Sequence, residues 1–246
     1  MTLILPQRTQ KPRNNGITSI HDVGIPLKEL ESILFSYSDY LDIAKFGVGS
    51  AIVEPKLKEK INLYKSFSVI PYFGGTLFEK FYFNNKLDEF IELLNENDVK
   101  TIEISTGTID ISLEERLKLV SKYKDEFTVI AEVGSKDGEK TMSPREWIEE
   151  IKQFIEAGTK YVITEGRNSE SSGIFHSSGA LRKDLIAEIT EAIDIENLIF
   201  EAPSNKTQMY FIKSFGANIN FGNVNPRDLL LLESQRQGLR SETFYL

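Results

Sequence analysis

Cysteine is absent from the 246 residues, which excludes disulfides, cysteine–zinc sites, iron–sulfur clusters and thiol nucleophiles together. Histidine is nearly absent. His21 and His176 are the only two, too little material for a multi-histidine metal site or for most histidine-based triads. No apolar run approaches the ~18–20 residues that span a bilayer. The opening MTLILPQRTQ has too short an apolar stretch, and no basic flank before it, to read as a secretory signal. Positive charge is in deficit, with 29 Lys and Arg against 37 Asp and Glu. The resulting net charge of −8 argues against general nucleic-acid binding. A small anionic substrate stays admissible, because the potential inside a pocket can differ in sign from the net charge. These absences suit a cytoplasmic chain with neither nucleic acid nor membrane as a partner.

What is present is an ordinary globular composition, 40% hydrophobic and 27% charged. No linker or low-complexity tract divides the chain, so it reads as one domain, with residues 1–12 as an extended N-terminal arm. Short β-branched segments end in polar or glycine clusters and are followed by helical periodicity. Eight strand candidates result: Ile17–Asp22, Tyr40–Phe46, Phe67–Tyr72, Lys100–Ser105, Phe127–Glu132, Lys160–Glu165, Asn197–Glu201 and Ala217–Phe221. Their spacing averages about 29 residues, enough for a strand, a three-turn helix and two loops. Helices are expected over Pro26–Tyr37, Leu113–Tyr123 behind a Ser112/Glu115 capping box, from Ser143-Pro144 onward, Asp184–Ile193 and Asn225–Gln235. The pattern predicts an α/β fold, a single-domain (β/α)8 TIM barrel. A doubly wound sheet is the lesser alternative, since the first turn, His21-Asp22-Val23-Gly24-Ile25-Pro26, carries no glycine-rich fingerprint.

In a barrel, chemistry collects where the strands end. Asp22, Lys45, Glu103, Glu132, Glu165 and Glu201 all fall at or near strand ends, with Lys136 and Arg167 just beyond two of them. A single acid there means little, because strands end at the surface. Four glutamates on four consecutive strands are different, since barrel strands converge on one mouth. Crowded carboxylates are costly unless a cation or a proton neutralises them. An oxygen-liganded Mg²⁺ is one resolution; Lys45, Lys136 and Arg167 as counterions are the other. Near the seventh and eighth strands lie Pro203–Gln208, with Lys206 and Gln208, and Phe221-Gly222-Asn223-Val224. Loops in these positions are the usual phosphate seat of the fold, although Ser-Asn and Gly-Asn are also plain turn chemistry. His21 is expected on the face opposite Asp22 in a structural role. Gly74-Gly75 reads as a ligand loop or a tight turn, Ser169–Gly179 as a lid, and Trp147 as packing.

Six segments together resemble the phosphosulfolactate synthase family: KFGVGSA (Lys45–Ala51), FGGTLFEK (Phe73–Lys80), EISTGTIDISLEER (Glu103–Arg116), AEVGSKD (Ala131–Asp137), FEAPSNKTQ (Phe200–Gln208) and LESQRQGLRSET (Leu232–Thr243). The similarity runs from about Arg13 to Thr243 in the family's order. It implies a (β/α)8 barrel that adds sulfite to phosphoenolpyruvate on the route to coenzyme M and related sulfonates. It further implies dependence on Mg²⁺ and a homo-oligomer, for instance a trimer. The family's acid/base lysine falls on Lys136, and its strand-end acids on Asp22, Glu103, Glu132, Glu165 and Glu201. Under this resemblance some of Glu103, Glu132, Glu165 and Glu201 hold the metal, and Lys45 joins Lys136 in catalysis. Asp22, Arg167, Lys206, Gln208, Gly222, Asn223 and Arg236 then meet the anionic substrate. The chain departs from the family at Arg167-Asn168-Ser169-Glu170, where Arg-Glu-Ser-Gly is usual, and at Thr106 and Ser50. Such departures suit a diverged branch acting on a related acceptor. Two other readings of the same residues are a Schiff-base aldolase and a family member that has lost catalysis.

Overall fold

The structure, a computed structural model, describes residues 3–134, 142–166 and 169–245. Eight parallel strands close into a barrel in chain order, with the last paired to the first. They are β1 (Thr18–Asp22), β2 (Ile43–Phe46), β3 (Ile70–Phe73), β4 (Thr101–Ile104), β5 (Thr128–Val133), β6 (Tyr161–Thr164), β7 (Leu198–Glu201) and β8 (Phe221–Val224). The helices among the described residues are α1 (Leu27–Tyr37), α2 (Ser50–Val53), α3 (Leu57–Ser66), α4 (Gly75–Phe83), α5 (Leu87–Glu96), α6 (Leu113–Tyr123), α7 (Pro144–Ala157), α8 (Lys183–Ala192), α9 (Asn205–Phe215) and α10 (Leu229–Arg236). None of them is long and apolar enough to cross a membrane. The expected (β/α)8 barrel is therefore the fold. Residues 3–17 carry no helix or strand.

Alternation along the strands sorts the core into two layers. Ser19, Ile43, Ile130, Ile163 and Ile199 line the barrel interior below the mouth. The residues between them, such as Ile20, Ala44, Phe46, Val129, Val162 and Phe200, are buried against the helical ring. The start signals read from sequence are realised unequally. Ser143 forms a complete capping box with Glu146, whereas Ser112 accepts from the Glu115 amide alone. Both choices follow from Ser side chains competing for orphan helix amides.

The eighth strand is displaced from its expected place. It runs over Phe221–Val224, so Gly222 and Asn223 lie within it and not beyond it. The preceding residues are held by side chains together with isolated backbone bonds: Asn218 Oδ1 accepts from Arg8, Asn220 Oδ1 accepts from the Ile17 amide, and the Asn218 and Asn220 carbonyls accept from the Gly16 and Phe200 amides. The helix expected over Asn225–Gln235 begins with a 3₁₀ turn, Pro226–Asp228, before α10. Between β2 and β3, and again between β3 and β4, two helices stand where one was expected.

Candidate active site

The interior face of each strand rises by two residues from an apolar floor to a polar rim. Ile43 is followed inward by Lys45, Ile130 by Glu132, Ile163 by Glu165 and Ile199 by Glu201, and a cavity of about 370 Å³ opens above them. Lys45 stands at its floor, nearly buried. Its Nζ lies 3.1 Å from Glu103 Oε2 and 3.5 Å from both Glu132 Oε2 and Glu201 Oε1. Burial pulls the Lys45 ammonium down, but Glu103, Tyr72, Glu132 and Glu201 outweigh it and hold it well above the ordinary lysine value. Lys45 is thus a fixed positive charge. Tyr72, at the same level on β3, is pushed well above its usual value by burial first and by Glu103 next. It presents a neutral hydroxyl.

Two backbone amides complete the carboxylate positions. The Gly75 amide, at the first turn of α4, donates to Glu103 Oε1 at 2.5 Å, and the Gly166 amide donates to Glu201 Oε2 at 3.0 Å. A helix N-terminus favours negative charge, so Glu103 is held between that terminus and the Lys45 ammonium. Gly74-Gly75 is therefore part of the cavity wall, and a Cβ at Gly75 would collide with Ser105 Oγ.

The structure brings together Lys45, Glu103, Glu132, Glu165, Glu201 and Asn223 around this cavity. Asn223 reaches it from a left-handed backbone position, φ 55°. Gly222 lies one level lower, in the interior beside Ile199 and Glu201. Lys136 and Arg167 lie outside the described residues.

Four residues expected to meet the substrate do not line the cavity. Asp22 points out of the barrel, wholly buried, and meets Lys60 Nζ at 2.7 Å and the Tyr64 hydroxyl at 2.8 Å. It also accepts from the Gly24 and Ile25 amides, fixing the turn into α1. The reason is parity: Asp22 shares its face with Ile20, and His21 takes the inward place. His21 therefore lies on the face opposite Asp22, as expected, but that face lines the cavity, and its ring lies over Gly47, where a Cβ would collide with it. Arg236 is buried at the opposite end of the barrel. Its guanidinium donates to the carbonyls of Ala217 (2.6 Å), Ile219 (2.7 Å) and Ile17 (3.1 Å), which precede β8 and β1. α10 runs back from the mouth, so its last turn arrives at the bottom. Gln208 is buried and donates to Ala202 O at 2.9 Å, and Lys206 is exposed on the first turn of α9; neither lines the cavity. At that helix start the Thr207 hydroxyl donates to Glu170 at 2.7 Å.

Sequence reasoning passed over Tyr72, Thr76 and Val48, and put His21 on the correct face without making it part of the site. Tyr72 had a usable signal, since it stands two residues after Ile70, as Lys45 does after Ile43. Thr76 and Val48 had none, because their approach to the mouth depends on how the neighbouring helices are placed.

The donors in this wall are carboxylate oxygens, the type a hard divalent cation takes. Yet the Lys45 ammonium already occupies the centre of Glu103, Glu132 and Glu201, and no three His, Asp or Glu side chains among the described residues close up as a metal cage. The arrangement would suit a Mg²⁺ that takes only one or two protein carboxylates and draws its other ligands from elsewhere. Glu165 and Glu132 are the residues that could hold it.

The profile of a family described as (2R)-phospho-3-sulfolactate synthase (ComA) matches residues 6–242. A phosphosulfolactate synthase of Bacillus subtilis (strain 168) is 42% identical, covering 100% of this chain and 98% of its own. One from Methanothermobacter thermautotrophicus is 37% identical, covering 98% and 95%. Among solved structures, the YdjI aldolase of Escherichia coli K12 superposes with a TM-score of 0.56 at 13% identity, over 90% of this chain and 85% of that one, a likeness of fold alone.

Proposed function

The chain belongs to the (2R)-phospho-3-sulfolactate synthase family of enzymes, and on that premise we propose that it adds sulfite to phosphoenolpyruvate, assisted by Mg²⁺. The observation that supports this most is the Lys45 ammonium held among Glu103, Glu132 and Glu201 beneath a cavity of a few hundred cubic ångströms.

In this reading the sulfite sulfur bonds to the methylene carbon of phosphoenolpyruvate. The electron pair of the double bond moves through C2 into the carboxylate, and a proton then returns to C2. Mg²⁺, held by Glu165 and Glu132, would act as a Lewis acid toward the carboxylate that receives this charge. Lys45 supplies a fixed positive field at the cavity floor, and its raised pKa keeps it from acting as the proton donor. Preorganised charge of this kind costs nothing to reorient during the reaction. Lys136 is assigned the proton transfer to C2, a step worth ~10²–10⁴ in rate for a positioned group. Tyr72 and Glu103 orient Lys45. Four glutamates to one lysine in the described wall also account for a requirement for added positive charge when an anion enters.

A Schiff-base aldolase reading finds no support at Lys45, because an ammonium cannot attack a carbonyl. The deciding experiment mixes purified protein, sulfite, phosphoenolpyruvate and Mg²⁺ and follows both substrates. Sulfite-dependent loss of phosphoenolpyruvate, abolished by a chelator, is expected. Tight phosphoenolpyruvate binding with no turnover would overturn the assignment.

A further inference from the structure

Glu79, in the second turn of α4, is 1% exposed, and among the described residues no cation pairs with it. A carboxylate so placed is costly unless hydrogen bonds replace its water. Four donors do so, and all come from one stretch of chain after β4. Oε1 accepts from Ser105 Oγ at 2.5 Å and from the Gly107 amide at 3.1 Å. Oε2 accepts from the Thr108 amide at 2.6 Å and the Ile109 amide at 2.9 Å. Backbone amides lead this set, so the carboxylate binds the path of the chain and not merely its side chains.

The same two segments meet at the mouth. α4 opens with Gly75, whose amide holds Glu103 Oε1, and Ser105 Oγ stands so close to Gly75 Cα that a Cβ there would collide with it. Glu103 in turn holds Lys45 at 3.1 Å. A continuous series of contacts thus runs from Glu79 through Ser105 and Gly75 to Glu103 and the ammonium.

We propose that Glu79 is a positioning residue: by bracing the residues after β4 against α4 it sets Gly75, and so fixes the orientation of Glu103 and Lys45. The kinetic part rests on the proposed reaction; the geometric part stands without it. Glu79→Gln is the discriminating change. Either way round, one half of the glutamine amide presents an NH₂ to backbone N–H groups that the carboxylate had accepted.

The test combines kinetics with the backbone amide spectrum of Glu79→Gln, Ser105→Ala and the core control Leu94→Ala in α5. Expected for Glu79→Gln is a fall in kcat of about 10–100-fold, the size of a misplacement transmitted to the chemistry, with KM unchanged and the Gly75 amide signal displaced. Ser105→Ala, which removes only the link, is expected to show the same two changes, and Leu94→Ala neither at equal loss of Tm. A Glu79→Gln protein with an unmoved Gly75 amide and normal kcat overturns the proposal, as does an unmoved Gly75 amide in Ser105→Ala should Glu79→Gln not fold. If the unaltered protein consumes no phosphoenolpyruvate with sulfite, the proposed reaction fails, while the Gly75 amide still decides whether Glu79 sets the mouth.

Discussion

Lys45 Nζ on β2 lies 3.1 Å from Glu103 Oε2 on β4, across the intervening strand that carries Tyr72. This contact explains how four glutamates can be tolerated at one barrel mouth, since an ammonium reaches three of them at once. Removing one partner of a buried ion pair leaves uncompensated charge and costs about 3–5 kcal/mol. Lys45→Met is therefore expected to lose about that much stability near pH 8. Denaturant titration checks this, and an unchanged stability would remove Lys45 from its assigned role. Turnover should fall by at least about 100-fold, the scale of losing a preorganised charge contact.

Gly47 is buried because the His21 ring occupies the space its Cβ would fill. Gly47→Ala should cost about 1–3 kcal/mol, the usual scale of overpacking, and impair turnover by tilting the ring into the cavity. His21→Ala in the same chain should restore most of the stability. A Gly47→Ala protein with unchanged Tm would show that the ring does not sit there.

Arg236 is placed to act on stability, since it lies buried at the barrel bottom away from the cavity. Replacing it by Met leaves the Ile219 carbonyl without its donor at the barrel bottom, while Ala217 O keeps Arg8 and Ile17 O keeps the Phe221 amide, at about 1–3 kcal/mol for the group left unsatisfied. For a chain of this size roughly 2–4 °C of Tm is lost per kcal/mol, so a fall of about 2 °C or more is expected. KM for both substrates should match the parent in the folded fraction. A raised KM with unchanged Tm would return Arg236 to the substrate site.

Three of the nine tyrosines resist ionisation. Burial pushes Tyr161 up to about 12, with Asp42 and Glu196 adding to it, and lifts Tyr64 and Tyr72 further. Their folded pKa values lie above the unfolded value of about 10. The stability they contribute is therefore full below pH ~10 and lost as pH rises through the folded values. Each retained proton contributes about 1.4 kcal/mol per pH unit, so stability should fall by about 3–4 kcal/mol per unit above pH ~10. Absorbance titration at alkaline pH should find three fewer tyrosines ionising in the folded than in the denatured protein. Full titration of all nine before unfolding contradicts the burial of Tyr64 and Tyr72.

Much of the site was legible before any coordinates. The strand–helix period of about 29 residues dictated the barrel, because parallel strands require crossovers of that length. The steps from Ile43 to Lys45, Ile130 to Glu132, Ile163 to Glu165 and Ile199 to Glu201 carried the inward polar rim in plain view, since a strand's faces alternate every second residue. Tyr72 obeyed the same rule and was simply not counted.

Other features could not be read locally. Asp22 and His21 are neighbours, and which one faces inward depends on where the first strand begins its alternation. Arg236 lies in a segment shared with the family, yet a helix returning from the mouth carries it to the far end of the barrel. Glu79 sits in a helix, and only packing shows that its carboxylate serves the residues after β4. By itself the sequence determined the fold and which residues could stand at the rim, because local periodicity sets both. Which charges meet, and which are turned toward solvent, helix or barrel bottom, was decided only when the sheet closed. The stagger between strands is a property of the whole ring, and no single segment encodes it.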